Sequence, residues 1–144
     1  MNWKDEGEGA TWLPALNAAE DKYGIPRDLL ARIAYQESHF RADIISGSVV
    51  SSAGAVGIMQ LLPRFFPGAG QSPQADIDTA AKYLCDLYAR FKDWTVAVAA
   101  YNWGPGSVHQ ALAKGETLAQ FPKETSDYVT DVCGDTNITG VLLS

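Results

Sequence analysis

Glu37 is the residue that most invites chemistry, because its position breaks the pattern of its own helix. It follows Ile33 by four positions, Ala34 by three and Leu30 by seven, so a carboxylate falls on the apolar stripe. An amphipathic helix ordinarily turns carboxylates to the opposite face, where Arg32 and Asp28 fall. Lost hydration disfavours the charged form, and the negative end of the helix dipole pushes the same way. Both effects keep a proton on Glu37 near neutral pH, as a general acid requires. Position alone is equally compatible with a buried glutamate that bonds to backbone and has no catalytic task.

Two further segments offer binding groups. Gly54-Ala55-Val56-Gly57-Ile58-Met59-Gln60 closes a Gly/Ser-rich stretch. Its small residues let backbone approach a ligand, and Met59 sets an apolar contact beside the Gln60 amide. No Gly-Lys-Ser/Thr follows, so it is not a phosphate loop. Taken alone it reads as a flexible surface loop. Ala100-Tyr101-Asn102-Trp103-Gly104-Pro105-Gly106 ends an apolar segment with a phenol, an amide and an indole at a Gly-Pro-Gly turn. Such groups suit a sugar, whose apolar faces stack on rings while its hydroxyls meet amides and phenols. Taken alone, this segment reads slightly better as a Tyr/Trp pair that packs, with Asn102 as a helix cap.

The elements that must position these groups are helices. Trp12, Leu16, Ala19 and Tyr23 have helical spacing, with Gly24 as a natural C-terminal stop. Pro26 opens a second helix with Leu29, Leu30, Ile33 and Ala34 as its stripe, running to about Ser38. From Arg41 to Gly57 no helical period survives, which predicts a long loop with short extended pieces. Pro73 introduces a helix striped by Ile77, Ala80, Ala81, Leu84, Tyr88 and Phe91, with Asp78–Lys82 and Asp86–Arg90 pairs outside. Trp94 to Asn102 is apolar nearly all round and predicts a central buried helix. Pro105 opens another that stops at Lys114-Gly115, and Pro122 a last one through Tyr128 and Val132, with Glu124 in its first turn. The tail from Gly134 gives no clear signal.

Composition bounds the function. The 144 residues (15.5 kDa) are 47% hydrophobic and 19% charged, which fits one globular domain spanning 1–144. Eleven basic against 17 acidic residues give a charge of −6, which offers no face to nucleic acid. The longest apolar run, Val96 to Tyr101, is too short for a bilayer, so no membrane insertion is expected. The first residues lack the basic start and apolar run of a secretory signal. His39 and His109 stand alone without HExxH or CxxC, so neither metal nor cofactor is expected. Cys85 and Cys133 read more readily as two reduced thiols than as one bridge.

Taken together, the motifs resemble a known family. Glu37-Ser38, Gly57-Ile58-Met59-Gln60 and Ala100-Tyr101-Asn102, in that order, look like the signature of soluble-type lytic transglycosylases, which share the lysozyme-like fold with goose-type lysozymes. Tyr23-Gly24-Ile25-Pro26 with Leu29-Leu30 resembles the lead into the family's catalytic helix, and Pro122-Lys123-Glu124-Thr125 with Tyr128-Val129 resembles its closing motif. The resemblance runs from about 12 to 132 and leaves 133–144 uncertain. It implies a mainly α, single lysozyme-like helical domain with a long Gly/Ser-rich loop beside the active site. It implies Glu37 as the catalytic acid/base and Ser51 at the N-acetyl sugar. Met59 and Gln60 would line the groove, Tyr101 and Asn102 would hold substrate, Glu124 would stand on the groove wall, and Tyr128 would stand against the glutamate. Ser38 would support Glu37 from behind.

The implied substrate is the peptidoglycan glycan strand, cut between N-acetylmuramic acid and N-acetylglucosamine to leave a 1,6-anhydro sugar. The implied enzyme is a monomer. Small size without signal or anchor also resembles a phage endolysin or virion-associated lysin, made in the cytoplasm and acting on the cell wall or periplasm. One departure bears on the outcome: the segment between Phe40 and Ser51 is longer than in typical transglycosylases and offers only Asp43. Most glycosidases need two carboxylates, and the lack of a placed second acid favours the anhydro route. A hydrolytic muramidase, with Asp43 or a loop-held water supplying the base, is the alternative. A catalytically silent wall-binding or virion structural module is another, disfavoured because it needs neither Glu37 nor Tyr128.

Overall fold

In a computed structural model, which describes residues 2–144, the chain folds into helices: α1 (Gly9–Tyr23), α2 (Leu29–Ser38), α3 (Ala42–Ile45), α4 (Pro73–Phe91), α5 (Trp94–Trp103), α6 (Pro105–Ala113) and α7 (Lys123–Thr136). Short 3-10 turns lie at Trp3–Asp5 and Leu118–Gln120. Among the described residues no strand forms, only a bridge between Val56 and Leu61. No helix of the described residues is long and apolar enough to cross a membrane. The chain divides into two compact units, one up to Lys82 and one from Tyr83 on.

The core of the first unit is built by α1, α2 and the start of α4, with Leu16, Leu29, Leu30, Ile33, Ile77 and Ala80 all buried. Gly24 closes α1 in the left-handed conformation, as its position predicts, and its N–H reaches the Glu20 carbonyl. Two expectations are corrected here. α2 starts at Leu29 rather than at Pro26, because Asp28 takes φ 72 and interrupts the helical path. The 41–57 stretch is not wholly loop: Ala42–Ile45 forms one helical turn that buries Ile45. A single turn among Gly and Ser is too short to display a period. Asp78 also differs from its expected pairing with Lys82; it accepts from Lys22 Nζ (2.9 Å) and the Tyr23 hydroxyl (2.8 Å) on α1.

The face of α2 opposite Glu37 is not the solvated face its polar residues suggest. Arg32 is only 5% exposed, its guanidinium lying 5.8 Å from the Trp3 ring and 5.0 Å from that of Tyr35. The chain before α1 folds back over this face, so α2 is enclosed on both sides.

In the second unit α5 is central, with Thr95 to Ala100 consecutively buried, as its uniform apolarity predicts. Asp93 caps it, accepting from the Val96 N–H at 3.1 Å and from the Thr95 hydroxyl. The other oxygen accepts the Val141 N–H at 2.8 Å, so this cap also ties down the tail. α7 runs on past Val132 to Thr136, and Asn137 closes it in the left-handed conformation. Cys85 and Cys133 do not form a disulfide with each other, and burial pushes the Cys133 thiol up to about 12.

Burial pushes the Asp93 carboxyl up, but the Thr95 hydroxyl and the Val141 and Val96 amides outweigh it and hold the group below its ordinary value. Asp93→Ala is expected to cost about 1–2 kcal/mol in urea unfolding at neutral pH, the worth of a well-used cap. A depressed folded value means that this contribution is complete above the ordinary aspartate range and is lost as pH falls through the folded value. The gap between wild type and variant therefore closes on acidification; a gap that stayed constant would contradict the assignment.

Candidate active site

In the first unit Glu37 occupies the last turn of α2 and is half-buried. Ser38, beside it, is fully buried. Its hydroxyl donates to the Ala34 carbonyl (2.9 Å) and accepts the Phe40 N–H (3.2 Å), closing the helix end that carries Glu37.

The Gly57–Gln60 segment is a tight turn clasped by paired bonds between Val56 and Leu61 (3.0 and 3.1 Å). Gln60 takes φ 50, and its side-chain Nε2 donates to the Gly57 carbonyl at 2.9 Å. Gly57 must be glycine: it has φ 76, and a Cβ there would lie 2.5 Å from Asp76 Oδ2. Met59 is fully buried, which departs from the groove-lining place expected of it: it shapes the turn from within and offers no surface of its own to a ligand. Ser51 is exposed and organises a neighbouring turn, its Oγ accepting the Ala55 N–H at 2.8 Å.

Asp43 is in use. Arg41 binds it through Nε (3.1 Å) and Nη2 (2.7 Å), and this holds its carboxyl below the usual aspartate range. It lines an open depression of about 560 Å³ with Glu8, Trp12 and Ser46. A carboxylate so paired is a poor base, because its basicity is already spent on the guanidinium.

In the second unit the structure brings the 100–106 and 122–129 motifs together. Asn102, at the end of α5, accepts the hydroxyl of Thr125 at 2.9 Å, and Thr125 is buried in the first turns of α7. Glu124, its neighbour, is exposed, and Tyr128, one turn on, is buried. Tyr101 is half-buried with its ring 5.7 Å from that of Tyr83. Burial pushes the Tyr83 phenol up, so it remains a neutral neighbour.

Two buried carboxylates escape the sequence reading. Glu20 is fully buried, and its oxygens accept the N–H groups of Asp28 (2.9 Å) and Ala31 (3.1 Å) at the start of α2, together with Asn17 Nδ2 (2.7 Å). It therefore seats the helix that ends in Glu37. Asp76, also buried, accepts the Gly70 N–H at 3.0 and 3.2 Å and abuts Gly57, bracing the turn before Gln60. Burial pushes both carboxyls up, against the pull of the amides they bind. The rule that singles out Glu37 also flags Glu20, which follows Leu16 by four positions on the stripe of α1. Only the packing separates the two.

Comparison with known proteins places this arrangement. The chain matches the family described as Transglycosylase SLT domain over residues 14–122. It is 33% identical over 126 residues to the membrane-bound lytic murein transglycosylase F of Maricaulis maris, covering 80% of this chain and 26% of that protein. To the membrane-bound lytic murein transglycosylase C of Serratia proteamaculans it is 28% identical over 131 residues, 75% of this chain and 35% of that one. Among solved structures, an inactive variant of the lytic transglycosylase Slt of Pseudomonas aeruginosa, with glutamine in place of a glutamate, superposes with a TM-score of 0.71 at 27% identity. The 70 kDa soluble lytic transglycosylase of Escherichia coli superposes at 0.69 and 26%; each match covers 85% of this chain and 23% of the other. The chain thus spans about a quarter of the length of the first relatives it matches. The helical order and these superpositions agree with the lysozyme-like fold that the motifs imply. With more than half of its residues inside the match, the chain belongs to the transglycosylase SLT domain family.

Proposed function

We propose that this chain is a peptidoglycan lytic transglycosylase acting as a monomer on the cell wall. The observation that carries the reading is Glu37, a half-buried carboxylate at a braced helix end, in a chain whose loop acid Asp43 is already paired. The inactivity of the Pseudomonas relative bearing glutamine for glutamate supports a mechanism resting on one such acid.

Glu37 protonates the glycosidic oxygen between N-acetylmuramic acid and N-acetylglucosamine, and the C1–O bond breaks. The substrate's N-acetyl group stabilises the cation at C1, with the exposed Ser51 hydroxyl to orient it. The Glu37 carboxylate then takes the proton from the muramic C6 hydroxyl as O6 bonds to C1. This returns Glu37 to its acid form and leaves a 1,6-anhydro sugar. Gln60, Tyr101, Asn102 and Glu124 bind the glycan in this reading, Tyr128 carries the phenol that the family motif assigns to the reaction, and Ser38 supports Glu37 through the backbone. A hydrolase would need a base to activate water, and the pairing of Asp43 with Arg41 speaks against that role.

Mass spectrometry of muropeptides released from purified peptidoglycan tests the reading. The expected products are one water lighter than reducing-end muropeptides. Reducing-end products would make the chain a muramidase, and no products would make it a binding module.

A further inference from the structure

We infer that the segment Trp3 to Gly9 is a positioning clamp for Glu37, acting through Tyr35 and Phe40; the inference rests on the reading of Glu37 as the acid. α2 ends in two consecutive non-glycine residues in the left-handed region, His39 at φ 50 and Phe40 at φ 53. Such residues are strained, and strain of this kind persists only where the surroundings over-determine it. Here residues 3–9 supply those surroundings. The Glu8 N–H donates to the Phe40 carbonyl at 2.8 Å. Gly7 lies so close that a Cβ on it would stand 2.2 Å from the same oxygen. The Trp3 ring stacks on that of Phe40, centroids 6.5 Å apart, and tilts against that of Tyr35 at 6.0 Å.

The Tyr35 hydroxyl donates to Glu6 Oε2 at 2.7 Å, and Lys4 pairs with Asp28 at 2.7 Å just before α2 begins. α2 is therefore held at both ends by one stretch of chain. Tyr35 precedes Glu37 by two residues, about 200° around the helix, so the two side chains leave on nearly opposite sides. Anchoring the phenol fixes the rotation of the last turn and with it the direction in which Glu37 points. The segment is polar apart from Trp3, so its bonds orient more than they bury. It also precedes residue 14, where the family match begins.

The test compares Tyr35→Phe, Glu6→Ala, their double variant and Glu6→Gln, with kcat and KM for glycan cleavage measured well below each melting temperature. Amide exchange at Glu37, Ser38 and His39 is followed in parallel. The two single variants are expected to lose kcat about tenfold with KM within about twofold, as a misdirected acid would. The double should lose no more than either single, because both break one bond. Glu6→Gln, whose carbonyl still accepts the phenol, should recover most of the rate. Exchange at the three amides should quicken in Tyr35→Phe and Glu6→Ala but not at Leu16 in α1. A purely structural role would lower the melting temperature and leave kcat and the KM split untouched; folded variants with wild-type kcat would overturn the clamp. If the wild-type chain releases no muropeptides, the reading of Glu37 fails by itself. The exchange comparison then decides the clamp, and unchanged protection would sink it.

Discussion

Glu37→Gln is expected to keep the fold and to lower the proposed glycan cleavage by about 10³-fold, the scale on which a general acid contributes. The substitution is nearly isosteric, and Glu37 is only half-buried, so packing around the end of α2 is preserved. What disappears is chemical: an amide neither gives a proton to the leaving oxygen nor recovers one from the C6 hydroxyl. Both halves of the proposed reaction run through the same carboxyl group, so one substitution stops both. The checks are the release rate of muropeptides, unfolding by circular dichroism, and binding to glycan fragments, which the variant should retain. A variant that cleaves at near wild-type rate would remove Glu37 from the chemistry.

Glu20→Ala is expected to destabilise the first unit by about 3 kcal/mol, because a buried carboxylate engaged by several donors is costly to remove. The change strands the N–H groups of Asp28 and Ala31 and leaves the Asn17 amide without its 2.7 Å acceptor. Relief from burying a charge offsets part of this loss. Glu20→Gln should cost about 1 kcal/mol, since one oxygen remains and the bond to the Ala31 N–H is lost. The pH dependence separates the variants further. With its folded value raised by burial, Glu20 binds a proton in the folded chain more readily than in the unfolded one. Wild-type stability therefore declines as pH rises through the window above the ordinary glutamate range, and Glu20→Gln lacks that slope. Urea unfolding across pH reads both effects; equal midpoints for wild type and Glu20→Ala would show that Glu20 does not seat α2.

The sequence is most legible where one element carries its own signal. The uniform apolarity of Trp94 to Asn102 foretells a buried helix, and Gly24 and Pro105 mark ends that the structure places there. It is least legible where distant segments meet. Arg32 reads as a solvent-facing residue because nothing in its own helix reveals that Trp3 will cover it. The stripe rule finds Glu37 and Glu20 alike, yet only the arrival of two amides from the start of α2 makes Glu20 a scaffold. Met59 reads as a groove residue from its motif, whereas the backbone clasp between Val56 and Leu61 turns it inward. Asp43 reads as an available acid until Arg41, two residues earlier, is seen to hold it. Local pattern thus gives helices and candidates, and tertiary contacts decide which candidate is engaged elsewhere.

The two thiols bear on where such a protein can work. Outside the cytoplasm the surroundings are oxidising, and cysteines there either pair or become liabilities. Only the thiolate attacks a disulfide or an oxidant. At neutral pH a thiol pushed up to about 12 is almost entirely protonated, and Cys133 is enclosed as well. Cys85, half-buried, is also pushed up by its burial and by Asp86. Both thiols thus favour the protonated form, which does not attack a disulfide.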